Sequence, residues 1–284
     1  MKMLRTAGML GGSLLAAGMM TGCLTLPAAE MLLATAETAA ASASVPVAES
    51  AAPTAQPTPS PTPEPRTFEN VTLVMQTPEL PNGCEVTSLA MVLTAAGYPA
   101  DKVELCETCL PMVDFTYSDD GQWRYGPSPE EAFAGIASSA SGGWYCFEQP
   151  ILDAGNTWIA ANGGGAQMAQ LSGLSQAELD ALLAGGTPVV AWVTQGYQAP
   201  YRTSTFSWLL PSGEEYVPYN NLHCVTVADI YGDQYLVANP LQGWEMVDRD
   251  EFWSSFESMG CRAVTVDLGQ LDSAAAAETG TGEK

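Results

Sequence analysis

Basic residues are scarce in this sequence, and it contains a single histidine. The 284-residue chain carries 9 Lys and Arg against 32 Asp and Glu, which gives a formal net charge of −23 at pH 7. This balance excludes a nucleic-acid partner, because a phosphate-binding face needs clustered cations. It also argues against electrostatic docking on anionic lipid. A single imidazole excludes sites that need several histidine ligands, and we expect no metal and no other cofactor.

Cysteines are also few for the length of the chain. Seven cysteines in 284 residues do not make a disulfide scaffold. Cys106 and Cys109 have the spacing of a metal or redox pair, but there is one such pair and no histidine near it. We therefore favour unliganded thiols or an incidental disulfide there. The sequence suggests no role for Cys146, Cys224 or Cys261.

The first residues have the pattern of an export signal. Lys2 and Arg5 precede a short apolar run, and the small residues Thr-Gly then precede Cys23. The apolar run followed by Thr-Gly-Cys23 resembles a bacterial lipoprotein signal, which implies removal of residues 1–22 and lipidation of Cys23. The alternatives are an ordinary secretory signal or an uncleaved anchor, although the run is short for a membrane span. We expect an exported protein, lipid-anchored to the outer face of the bacterial cell membrane.

Composition divides the remaining chain into three parts. Residues 23–67 are rich in Ala, Thr, Ser and Pro, which favours an extended, unpacked tether. Residues 68–268 have the apolar patterning of one folded domain, which we expect to be monomeric. Residues 269–284 lack periodicity and are predicted to be a disordered tail.

Helix signals in the domain mostly precede strand signals. Besides the helix that starts at Cys84, the patterns predict helices over 101–110, 129–137, 150–161, from the Ser175 capping box to Gly185, and over 248–259. Apolar and β-branched runs predict strands over 71–75, 188–194, 202–210, 223–231, 234–238 and 262–267. This order favours an α+β fold with an antiparallel sheet.

Four residues have the chemistry of a thiol-based acyl transfer site. Cys84 is predicted at a helix N-terminus, where free amides and the helix dipole lower a thiol pKa, so it should be the most reactive cysteine of the domain. His223, at the start of a strand, is the only imidazole available as its base. Asn239, before Pro240 at the end of the next strand, could orient that ring. Gln76 could donate to an oxyanion together with the backbone N–H of Cys84.

These residues lie in blocks that resemble a known family. The chain resembles the papain-like cysteine peptidases typified by the bacteriocin-processing peptidase domain (family thirty-nine), in particular its stand-alone relatives. The resemblance is carried by five blocks in order, over 76–91, 126–135, 186–192, 222–225 and 239–243. It implies a papain-like fold, a peptide or protein substrate, nucleophile Cys84, base His223, and Gln76 in the oxyanion hole. Asn239 stands where the family more often has Asp, so replacement of Asn239 by Asp is expected to be tolerated.

Three functions are compatible with this pattern. The first is a surface-anchored cysteine peptidase with a Cys-His-Asn triad and a Gln oxyanion hole. The second is an amidase or transpeptidase that uses the same triad on cell-wall peptides. The third is a catalytically silent binding lipoprotein of the same fold. Trp123, Trp144 and Trp192 are candidates for a substrate groove, although core packing is the default for tryptophan.

Overall fold

The computed structural model describes residues 69–203, 205–269 and 271. The predicted signal, Cys23, the tether and most of the tail lie outside these residues. Within the described ranges, no helix is long and apolar enough to cross a membrane.

Five α-helices and one short 3-10 helix occur in the described residues. Two of the α-helices begin at an Asp cap, and a third begins at a complete capping box of Ser175 and Glu178. In chain order they are α1 (Cys84–Ala95), α2 (Lys102–Thr108), α3 (Glu148–Ala161), α4 (Gln176–Ala184), the 3-10 helix (Gln195–Tyr197) and α5 (Arg249–Ser258).

Twelve strands occur in the same ranges and form three sheets. They are β1 (Met112–Val113), β2 (Thr116–Tyr117), β3 (Arg124–Tyr125), β4 (Phe133–Ala134), β5 (Gln167–Gln170), β6 (Val189–Thr194), β7 (Trp208–Leu209), β8 (Glu215–Tyr216), β9 (Leu222–Tyr231), β10 (Gln234–Asn239), β11 (Gly243–Asp248) and β12 (Ala263–Asp267). The main sheet has the order β11-β10-β9-β6-β12-β5, and all of its pairings are antiparallel. A four-stranded sheet has the order β2-β3-β7-β8, and β1 pairs with β4.

The main sheet is covered on both faces. One face packs against α1 and α3 through residues such as Val190, Trp192 and Val264. The other packs against α4 and α5 through Val189, Val225 and their neighbours. Because both faces are covered, every residue of β6 is buried, which explains its apolar run from Val189 to Val193.

Most of the predicted helices are confirmed. The helices from Cys84, over 101–110, over 150–161, from Ser175 and over 248–259 form with ends shifted by a few residues. The helix predicted over 129–137 is wrong, because this segment makes a turn and then β4. Its acidic residue Glu130 pairs with Arg262 at 2.7 Å, and the N–H of Phe133 donates to Pro111.

Four of the six strand predictions are confirmed. β6, β9, β10 and β12 lie within a residue of the predicted bounds. The strand predicted over 71–75 is wrong: this segment is irregular, and the N–H of Val74 contacts the Met91 sulfur. Among the described residues of 202–210, only β7 and a single bridge at Arg202 are strand-like. No strand was predicted at β1 to β5, β8 or β11. The mixed helical and antiparallel architecture agrees with the predicted α+β class.

Candidate active site

Helix α1 begins in a tight turn that places Cys84 at its first position. Its N-cap is Gly83, which offers no side-chain cap, and the first helical bond runs from Thr87 N to Gly83 O at 3.0 Å. The N–H groups of the first turn are therefore not used by the helix. A Cβ at position 83 would lie 2.7 Å from Cβ of Leu80, so only glycine fits this turn.

The Cys84 thiol is buried and faces a carboxyl group. Its sulfur lies 3.3 Å from Oε2 of Glu85, whose other oxygen accepts a hydrogen bond from Cys146 N at 3.1 Å. Burial raises the pKa of Glu85 to about 7. Burial, with Glu85 adding to it, also raises the pKa of Cys84 well above its ordinary range. The expected low thiol pKa is therefore wrong for this state of the site, since desolvation outweighs the helix N-terminus.

Hydrogen bonds fasten α1 to the strand that carries the histidine. The hydroxyl of Ser88 donates to Cys224 O at 3.3 Å, and the hydroxyl of Thr226 donates to Ser88 O at 3.1 Å. A hydrogen bond from the Cys224 backbone also acts to lower the pKa of Cys84. Cys84 therefore lies against the residue that follows His223.

The His223 ring is buried and uses one of its two nitrogens. Nε2 lies 2.9 Å from Oδ1 of Asn239. Nδ1 has no hydrogen-bond partner in the described part of the chain, although a buried nitrogen without one costs about 1–3 kcal/mol. Burial lowers the pKa of His223, with Asn239 and Glu245 acting against it. The neutral ring with its hydrogen on Nε2 fits these contacts, because Oδ1 can only accept.

Asn239 has partners for both ends of its amide. Oδ1 also accepts from Leu241 N at 2.9 Å, and Nδ2 donates to Oε2 of Glu245 at 2.8 Å. The hydroxyl of Tyr197 donates to the same Glu245 oxygen at 3.2 Å. Neither Glu245 nor Tyr197 stands out in the sequence. Glu245 can be identified only when β10 is paired with β11. In that register Asn239 lies opposite Gly243, and Glu245 is its diagonal neighbour.

Gln76 lies on the irregular segment before α1. Its Nε2 donates to Pro81 O at 2.8 Å, which leaves a second N–H on the same nitrogen, while Oε1 is buried without a partner among the described residues. Its backbone N–H donates to Pro240 O at 2.8 Å, beside Asn239. The ammonium of Lys102 donates to the Gln76 carbonyl at 3.1 Å and to that of Met75. Gln76 is thus held between α2 and the β10–β11 turn.

A cleft of about 310 Å³ is lined by residues that precede Cys84 and His223 in the chain, although not by Cys84 or His223 themselves. Asn82, two residues before Cys84, and Leu222, immediately before His223, both line it. Its other lining residues are aromatic or uncharged: Ala140, Ser141, Gly143, Trp144, Tyr145, Gln195, Phe206, Tyr219 and Asn220. Of the three tryptophans considered from the sequence, Trp144 lines this cleft, whereas Trp192 is fully buried and donates to Cys146 O.

The remaining cysteines do not form a second site. The six cysteines from Cys84 to Cys261 are free thiols, so Cys106 and Cys109 are not joined by a disulfide. Across the described ranges, no group of three or more His, Cys, Asp or Glu side chains is arranged to hold a metal ion.

A family model and a solved structure both relate this chain to C39-like peptidases. The model of the Peptidase_C39 like family matches residues 68–264. The chain is 32% identical over 194 residues to the uncharacterized protein YvpB of Bacillus subtilis (strain 168), covering 68% of this chain and 72% of that protein. A crystal structure assigned as a C39-like peptidase from Bacillus anthracis is 28% identical, with a TM-score of 0.59, covering 70% of this chain and 94% of that one.

Proposed function

We propose that this chain, which belongs to the Peptidase_C39 like family, hydrolyses peptide bonds with Cys84 as nucleophile and His223 as general base. One observation carries the proposal. The His223 ring is fixed at Nε2 by Asn239, and its other nitrogen is buried without a partner next to the strand residue that contacts Cys84. This unpartnered basic nitrogen, on the residue before the one that contacts the buried Cys84 thiol, has the chemistry of a proton acceptor.

Both groups start neutral in the proposed reaction. Nδ1 of His223 takes the thiol proton while the Cys84 sulfur attacks the substrate carbonyl carbon, which gives an imidazolium and a tetrahedral oxyanion. The Cys84 backbone N–H and the second N–H of Gln76 Nε2 donate to that oxyanion. The imidazolium then gives its proton to the departing amine, which leaves a thioester on Cys84.

The same groups then hydrolyse the thioester, with water in the place of the thiol. Nδ1 of His223 takes a proton from water, and the resulting hydroxide adds to the thioester carbonyl. Collapse of this second oxyanion breaks the carbon–sulfur bond, and the imidazolium returns the proton to the Cys84 sulfur. The products are one carboxylate and one amine, with the enzyme regenerated.

The cleft favours uncharged substrate segments. Among the described residues that line it there is no Asp, Glu, Lys or Arg, whereas four side chains are aromatic. A charged side chain would lose its hydration there without gaining an ion pair. We therefore expect preference for neutral or aromatic residues near the scissile bond.

The test is hydrolysis of a peptide library by the purified protein, followed by mass spectrometry. Cys84→Ala should abolish cleavage, while Cys109→Ala, which alters another thiol of the domain, should not. Release of peptides only from purified cell-wall fragments would favour the amidase or transpeptidase instead. Binding without turnover, and with no labelling of Cys84 by a thiol-directed peptide probe, would favour the silent binding protein.

Surface anchoring is part of the same proposal and depends on residues outside the described ranges. Its support is the apolar run that ends in Thr-Gly-Cys23 and the proline-rich segment after it. Cys23→Ser should release the protein to the medium or leave the signal uncleaved. A wild-type chain that takes up no lipid label and fractionates as a free protein contradicts the anchor.

A further inference from the structure

Asn239 is oriented by a carboxylate that lies behind it. The amide could be placed in either of two orientations related by a flip, and its neighbours decide between them. Glu245 Oε2, 2.8 Å away, can only accept when ionised, so Nδ2 must face Glu245. Oδ1 is therefore turned toward His223 Nε2 and Leu241 N, both at 2.9 Å. With Glu245 ionised, only one orientation of Asn239 satisfies all of these contacts.

Glu245 is itself held in place by the fold. On β11 it lies directly opposite Val237, and thus diagonal to Asn239, whose own partner Gly243 has no side chain to intervene. The Tyr197 hydroxyl donates to the same Glu245 oxygen at 3.2 Å. Glu245 is half-buried, which strengthens its hydrogen bonds relative to those of a surface carboxylate.

We propose that Glu245 is a positioning residue for the base: it fixes the amide of Asn239, so that Oδ1 holds the His223 ring, and it supplies the negative charge that the neutral amide lacks. This rests on the proposed function, because His223 is taken as the proton acceptor. When the ring becomes an imidazolium, the nearby carboxylate stabilises the positive charge through Asn239.

Several ionisable groups face this cluster. They are Tyr197 from the 3-10 helix, Glu245 from β11, and Glu251 from α5, which acts on Tyr197. Glu245 acts to raise the pKa of His223, and its removal should therefore lower that pKa.

The proposal reverses the expectation for Asn239→Asp. This change would place a carboxylate oxygen at hydrogen-bond distance from Glu245, and two carboxylates at that distance repel unless they share a proton. The single change should therefore be damaging. Adding Glu245→Gln should restore the contact, because the new amide at position 245 can donate to the carboxylate introduced at position 239. That carboxylate would still accept from His223.

The experiment is a double-mutant cycle in the full chain without an affinity tag. It compares wild type, Asn239→Asp, Glu245→Gln and the double variant by kcat/KM on a cleaved peptide, or by the rate at which a peptidyl probe labels Cys84. Each single variant should fall by about tenfold or more, and the double variant should return to within about threefold of wild type. Glu214→Gln, which removes an exposed charge elsewhere, is the matched control and should be silent.

NMR of the single histidine gives a second measurement that does not depend on turnover. In wild type, the ¹⁵N spectrum should show the tautomer protonated at Nε2, and Glu245→Gln should lower the imidazole pKa. A tautomer protonated at Nδ1 overturns the proposal even if the variants fail to fold. So does a Glu245→Gln chain with unchanged rate and unchanged imidazole pKa, or a double variant no better than Asn239→Asp. If Cys84→Ala leaves turnover intact, the proposed function is wrong. The NMR measurement on His223 still tests the role of Glu245 in that case, because it does not depend on turnover.

Discussion

The Cys84 thiol lies 3.3 Å from Oε2 of Glu85, the next residue along the chain, and donates its hydrogen to that oxygen. Cys84 therefore rests as a neutral thiol bound to a carboxyl group, and in the proposed mechanism its proton must move to His223 before or during attack. Both pKa shifts support this resting state, because burial raises the pKa of Cys84 and lowers that of His223. An ion pair formed before substrate binds would need the opposite shifts.

The first prediction is that the pKa of His223 determines the acidic side of the pH–rate profile. Below the pKa of His223 the ring is protonated and cannot accept the thiol proton, so kcat/KM should rise through a limb lying below the ordinary histidine value of about 6.5. It should then stay high through pH 8. Rates measured from pH 4 to 9, repeated with Glu85→Gln to remove the titration of Glu85 near pH 7, test this. Full activity at pH 4 would show that the thiolate–imidazolium pair exists already.

The second prediction concerns thiol reactivity, and it replaces the expectation from sequence. A small alkylating reagent at mildly acidic pH should label the partly exposed Cys109 and Cys261 before the buried Cys84. A peptidyl electrophile that fills the cleft should instead select Cys84. Peptide mass mapping distinguishes the sites, and Cys84→Ala controls for background. If iodoacetamide marks Cys84 first, the thiol pKa is low and the neutral resting state is refuted.

The third prediction is a pH-dependent stability difference between wild type and Glu85→Gln. Burial raises the Glu85 pKa from 4.5 to about 7, so the native state holds this proton more tightly than the unfolded chain does. The resulting stability is complete below pH 4.5 and is lost as the pH rises through 7, by up to about 3 kcal/mol. Glutamine can still accept from Cys146 N but does not titrate, so the variant should gain on wild type over this interval.

Urea denaturation at pH 4, 6 and 8 measures this difference. Glu257→Gln, at an exposed position, is the charge-matched control and should follow wild type at every pH. A constant difference between wild type and Glu85→Gln at all three pH values would show that Glu85 does not titrate in this range.

The fourth prediction assigns Gln76 to the transition state. Gln76→Ala removes the proposed oxyanion donor, and loss of one such donor typically lowers kcat by about 10²–10³-fold. KM should change little, because the ground-state carbonyl gains less from the same contact. Gln122→Ala, at an exposed position, is the control for the substitution itself. An equal rise in KM with kcat unchanged would assign Gln76 to substrate binding.

Local sequence patterns predicted correctly the elements in which residue propensity and the pattern of burial indicate the same secondary structure. The capping box at Ser175 and the β-branched runs of β6 and β9 predict their own structure, because propensity and burial favour the same state there. They failed where long-range contacts decide. Glu130, which resembles a first-turn helix acid, instead pairs with Arg262 from far along the chain.

Part of the candidate site could be predicted from the sequence. Cys84, His223, Asn239 and Gln76 are residue types that carry chemistry by themselves, and their order in the chain is visible in the sequence. Glu245 gains its role only from the register of β10 against β11, and β11 was missed because its exposed Trp244 and Met246 obscure the strand pattern. The burial that sets the Cys84 pKa is likewise a property of the packed core.

The backbone bond from Gln76 N to Pro240 O joins the segment before α1 to the turn that carries Asn239. Gln76, the proposed oxyanion donor, and Asn239, the proposed orienting residue, are therefore expected to open and close as one cooperative unit rather than independently. In hydrogen exchange, the Gln76 amide should report on both at once, since loss of protection there requires separation of the two segments. A compound that separates these two segments is expected to abolish the proposed activity without contacting the Cys84 thiol.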